Sequence, residues 1–101
     1  MKAYELLSDE SKWIQGDFAR TEAGEFVYSH NPKAAQWCVV GAVSKCYQSA
    51  ISSFNNSDYT DAIGKVMKKL GFHIIPEVTS WNDNPSRKYE EVISILKEID
   101  V

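Results

Sequence analysis

The stretch from Ala34 to Val43 constrains this chain most, because Gln36 is its only polar side chain. Ala35, Cys38, Val39, Ala42 and Cys46 recur at helical spacing on one face. Trp37, Val40, Gly41 and Val43 carry the apolar surface around the other side. A helix apolar on most of its circumference has to be buried on more than one side. Asn31-Pro32 supplies a start signal: a capping side chain, then proline at the first helical position. The pattern predicts a central helix from Pro32 to Ser52 or Ser53, followed by a polar loop, Asn55-Asn56-Ser57.

The rest of the chain reads as cover for that helix. Ala3-Tyr4 and Leu6-Leu7 predict a short first helix. Ser8 reads as the cap of a following helical turn that carries Asp9, Glu10, Trp13 and Ile14 and ends at Gly16. Residues 18–29 hold two β-prone runs around Gly24 and predict a hairpin. Ser57 or Asp58 caps a helix to Leu70, with Tyr59, Ala62, Ile63, Val66, Met67 and Leu70 as its stripe and Gly71 as its stop. Phe72-His73-Ile74-Ile75 reads as a short strand ended by Pro76, and Trp81 to Pro85 as a loop. Ser86 or Asn84 caps a last helix, 87–99, striped by Tyr89, Val92, Ile93, Leu96 and Ile99. The expected fold class is α+β: a helix-dominated single domain, 1–101, with a central helix, two further amphipathic helices and a small β-hairpin.

Charge and composition exclude several functions. The formal net charge is −3, so no global positive field recruits nucleic acid or an anionic membrane. Lys65, Lys68, Lys69, Arg87 and Lys88 read as solvated helix faces. No apolar run is long enough to cross a bilayer, and the N-terminal residues lack the pattern of a secretory signal. Two cysteines suit a reducing compartment, so the expected location is cytoplasmic. Eight residues of helix put Cys38 and Cys46 about 12 Å apart, too far for a bridge. No P-loop, dinucleotide fingerprint or nucleophile elbow is present. No zinc-type spacing occurs among the Cys and His residues, so no metal and no cofactor is expected.

The residues that stand out form two short motifs, Trp37-Cys38-Val39-Val40-Gly41-Ala42 and Trp81-Asn82-Asp83. In the first, Cys38 falls about two turns inside the predicted helix, where core packing is the plain reading. Gly41 marks a close approach to the helix, with the ring of Trp13 or Trp81 expected across it. In the second, Asn82 and Asp83 satisfy backbone groups near the central helix, or present hydrogen bonds to a ligand beside an aromatic face. Trp37 and Trp81 are expected to pack near each other. The expected binding residues are Trp37, Trp81, Asn82 and Asp83. An enzymatic alternative assigns Cys38 as nucleophile, His73 or His30 as base and Asn82 or Asp83 as the orienting group.

Taken in order, Trp13-x-x-Gly16, Ala19-Arg20, Gly24, Pro32-x-Ala34, Trp37-Cys38-x-x-Gly41-Ala42 and Trp81-Asn82-Asp83 resemble an uncharacterised domain family of bacteria and their viruses. The resemblance runs from about Ala3 to Ile99, and the chain lacks the longer middle segment of many members. It implies a bacterial or phage setting and no particular reaction. By analogy with small phage proteins that act by binding, the expected function is a non-enzymatic interaction protein. Its partner would be a bacterial protein, such as a defence protein that it inhibits, or a small molecule. The rival is a cysteine-nucleophile hydrolase or transferase using Cys38.

Overall fold

A computed structural model describes residues 1–48 and 57–101. Among the described residues, five α-helices and a three-stranded antiparallel sheet make an α+β fold. The helices are α1 (Ala3–Leu6), α2 (Val39–Tyr47), α3 (Ser57–Leu70), α4 (Ile75–Asp83) and α5 (Tyr89–Glu98). The strands are β1 (Ala19–Arg20), β2 (Phe26–Val27) and β3 (Gln36–Trp37), in the order β2-β1-β3. A 3-10 turn spans Glu10–Lys12.

The apolar run does form the interior, but only its second half is helical. Asn31 and Pro32 make a turn in which Asn31 Oδ1 accepts from Lys33 N and the Asn31 carbonyl from Ala34 N. Gln36 and Trp37 then pair with Arg20 and Ala19 as the third strand. The expected helix start at Pro32 is thereby corrected to Val39. Asn-Pro initiates turns as readily as helices, and an open sheet edge at β1 gives the next residues a ladder to join. The helix ends at Tyr47, with Gln48 extended. The expected end at Ser52 or Ser53 and most of the expected polar loop lie outside the described residues.

α2 touches α1, α3, α4 and β3, and Val39, Val40, Gly41, Ala42 and Val43 are all buried. One contiguous core joins them to Leu7, Ala62, Ile63, Val66, Val78, Val92 and Leu96. Each fully buried aliphatic side chain is stabilising by about 1.5–3 kcal/mol. α3 ends as its sequence signals: Gly71 takes φ +76°, its N–H donates to the Lys68 carbonyl, and Phe72 N–H reaches back to Met67.

Further expectations are corrected. Pro76 does not end a strand; it occupies the first turn of α4, where a missing N–H is harmless. Glu77 caps that turn by accepting from the backbone of His73 and Ile74. Trp81, Asn82 and Asp83 are the last turn of this helix and not a loop. Asp9, rather than Ser8, caps the 3-10 turn, and Trp13 lies beyond it in extended backbone, bridged to Trp37. Before α5, Glu91 caps the backbone N–H of Lys88, while Asn84 serves a local turn by accepting from Ser86.

Candidate functional site

The two motifs meet at the N-terminus of α2. A helix leaves its first N–H groups without intrahelical partners, and here those of Val39, Gly41 and Ala42 find acceptors. Cys38 is the N-cap, not an interior residue: its Sγ accepts from Gly41 N at 3.3 Å, and its carbonyl from Ala42 N. Val39 N donates to Asn82 Oδ1 at 3.1 Å. The same oxygen accepts from the indole Nε1 of Trp13 at 2.8 Å. Asn82 Nδ2 donates to the Ile14 carbonyl at 3.1 Å and to Asp83 Oδ1 at 2.9 Å. Asn82 is fully buried, and an amide has two acceptor positions and two donors. All four are engaged, so nothing of Asn82 is left for a ligand.

The neighbouring contacts fasten the segment between Trp13 and Arg20 onto the helices. Gln15 Nε2 donates to the carbonyls of Asn82 and Asn84. Gly16 N donates to Asp83 Oδ1 at 3.0 Å, and Gly16 takes φ +96°, a conformation other side chains rarely adopt. Arg20 holds the same loop from below, through Asp17 Oδ2 and the Gln15 carbonyl. Gly41 is the closest approach. A Cβ there would overlap the carbonyl of Phe18, which also accepts from Cys38 N. The sequence reading found this notch but filled it with a tryptophan ring; backbone fills it.

The tryptophans serve three separate contacts. Trp37 is buried and donates from Nε1 to the Ser29 carbonyl. Trp13 meets the ring of Tyr89, with centroids 6.5 Å apart. Trp81 is covered on one face by the Arg87 guanidinium, 4.0 Å from the ring centre. The expected pairing of Trp37 with Trp81 is not among these contacts.

Of the enzymatic inventory, Cys38, Asn82 and Asp83 come together and the histidines do not join them. His73 is exposed and precedes the start of α4. Asp83 is at the far end of that nine-residue helix, about 12 Å away at 1.5 Å per residue. His30 lines a different pocket, with Val40, Ser44 and Tyr59, that shares only Phe18 and Tyr28 with the Cys38 pocket. Its Nε2 is buried without a hydrogen-bond partner among the described residues. The Cys38 thiol itself is pushed up to about 11, chiefly by burial. The N–H groups of Gly41 and Val40 oppose that rise, and the charge of Asp83 adds to it. At neutral pH the sulfur is a protonated thiol, a poor nucleophile. Cys46 is also a free thiol, half-buried. Among the described residues no three His, Cys, Asp or Glu side chains cluster as a metal site, and no helix is long and apolar enough to cross a membrane.

Beside the hub lies a pocket of about 200 Å³, bounded by the 16–18 loop, the aromatic face of the hairpin, Thr79 and Asp83 of α4, and Cys38 at its floor. Phe18 (43% exposed), Phe26 (50%) and Tyr28 (75%) stand around it. Phe26 and Tyr28 meet edge to face, 5.4 Å between centroids. Sequence reasoning passed over these rings, yet the signal was there. Strand residues alternate between faces. Ala19 is buried, and Val27 packs against the core, so Phe18, Phe26 and Tyr28 fall outward.

No curated protein and no solved structure matched this chain. A family model matches residues 1–99, most of the chain. The chain belongs to a family of unknown function (DUF6197).

Proposed function

We propose that this protein is a non-enzymatic binding module whose working surface is the aromatic face over the Cys38 pocket. The observation that carries the reading is the exposure of Phe18, Phe26 and Tyr28 together at the mouth of one pocket. Scattered exposed apolar residues are ordinary; three aromatic rings around a concavity mark contact surface. The alternative, a thiol enzyme, has less support: the thiol is protonated and buried, and His73 stands at the other end of α4. Of the expected binding residues, Asp83 lines the pocket, whereas Asn82 and Trp37 face inward. In the bacterial or phage setting that the motifs suggest, the partner is a bacterial protein in the cytoplasm, and inhibition of a defence protein is one form this takes.

Alkylation of the native protein at neutral pH, mapped by mass spectrometry, tests the choice. Cys38 should stay unmodified until the chain is unfolded. Alkylation of Cys38 faster than a model thiol, slowed by replacing His30 or His73, would overturn the binding reading in favour of the enzyme.

A further inference from the structure

The geometry points to an arginine side chain of a partner protein as the group this pocket receives. The inference rests on the binding reading above and adds the chemistry of the occupant. Size comes first. At about 200 Å³ the pocket is below the roughly 300–1,000 Å³ of sites that enclose whole small-molecule ligands, and suits one side chain.

Charge comes next. Two of the lining residues are acidic, Asp17 and Asp83, and none is basic. Asp17 is neutralised by Arg20, which holds its Oδ2. Asp83 is different. Both hydrogen bonds it accepts fall on Oδ1, from the Gly16 N–H and the Asn82 amide, which are neutral donors. It forms no ion pair with any described residue and is half-buried. A carboxylate held rigidly by two neutral donors, at the edge of an aromatic concavity, lacks a cation.

Ring chemistry supplies the rest. A cation over an aromatic face is attracted by the ring quadrupole, and a planar guanidinium can stack on a ring while its edge donates to a carboxylate. An ammonium offers the charge without the plane. The protein already makes such a contact internally, where Arg87 covers Trp81 and donates to Glu91. The net charge of −3 adds long-range attraction for a basic partner.

The test is a titration of the intact protein with three capped amino acids, N-acetylarginine amide, N-acetyllysine-free-amine amide and the neutral N-acetylcitrulline amide, followed by amide NMR shifts. The arginine compound should bind with a Kd on the order of 1 mM, with shifts centred on Gly16, Phe26, Thr79 and Asp83. The citrulline compound should bind at least about tenfold more weakly, and the lysine compound between the two. Asp83→Asn keeps an oxygen for Gly16 and should lose the preference for arginine over citrulline. Tyr28→Ala, at a mostly exposed ring, should weaken arginine binding without disturbing the fold, which keeps the test sound if Asp83→Asn unfolds. Equal binding of citrulline, tighter binding of lysine, or no binding by any of the three overturns the proposal. None of those results bears on Cys38 alkylation, so the binding reading stands or falls separately.

Discussion

The hub around Asn82 and the aromatic face beside it are neighbours built on opposite principles. In the hub every hydrogen-bonding group of the Asn82 side chain has a partner, and the residue is fully buried. On the face, three large rings stay half to mostly exposed, and the Asp83 carboxylate forms no ion pair with any described residue. The hub joins three distant parts of the chain: the segment at Trp13–Gly16, the start of α2 and the end of α4. On the binding reading proposed above, the chemically distinctive residues are not the ones that would meet a partner. Here Trp13, Cys38, Asn82 and Gly41 hold segments of the fold together, while the exposed rings are the plainer Phe and Tyr residues.

The largest expected effect separates the two regions by stability. Asn82→Ala strands the Trp13 indole N–H and the Val39 N–H in the interior, and should destabilise the protein by about 3–5 kcal/mol in urea unfolding. Tyr28→Ala, on the face, should change stability by no more than about 0.5 kcal/mol. Similar losses for the two would erase the distinction.

A second contrast lies between two glycines inside helices. Gly41 is pressed against the Phe18 carbonyl, whereas Gly64 of α3 has open space where a Cβ would go. Gly41→Ala should destabilise by about 2–3 kcal/mol because the sheet must move away from α2. Gly64→Ala should stabilise by about 0.5–1 kcal/mol, the ordinary helix preference for alanine. Thermal unfolding of both variants reads the opposite signs; a neutral Gly41→Ala would mean the contact is loose.

The third effect is alkaline. The Cys38 thiol is raised from 9.0 to about 11 in the folded protein. A raised pKa leaves stability intact below the unfolded value and removes it as pH climbs toward the folded one. Between those values only the unfolded chain gives up its proton, so about 2–3 kcal/mol should be lost between about pH 9 and pH 11. Tyr47, Tyr59 and Tyr89 are also pushed up by burial. The Cys38→Ala variant isolates the cysteine: its stability should fall less steeply over that range. Parallel curves would place Cys38 in contact with water.

What could be read in advance followed the physics of periodicity. The stripes of α3 and α5, the stop at Gly71, the hairpin and the buried Val39–Val43 run all register in local pattern. What escaped was decided by contacts between distant segments. Residues 34–37 read as helix because Ala34, Ala35 and Trp37 continue the apolar run, yet pairing with β1 makes Gln36–Trp37 a strand. Trp81-Asn82-Asp83 read as a loop because Asn and Asp favour turns, yet Asn82 lies in the last turn of a helix with its amide satisfied by Trp13 and Ile14, 69 and 68 residues away, and by Val39, 43 residues away. The Trp37–Ala42 and Trp81–Asp83 motifs were legible as motifs; that they converge on one amide was not.

Hydrogen exchange at two sites tests most directly the claim that Asn82 locks the motifs together. The Trp13 indole N–H and the Val39 amide both donate to the same buried oxygen. Followed by NMR in deuterated buffer, both should exchange only through global unfolding, at matching free energies, and Asn82→Ala should abolish that protection in whatever fraction remains folded. Loss of either signal at the rate of a solvent-exposed group in the unaltered protein would contradict the account.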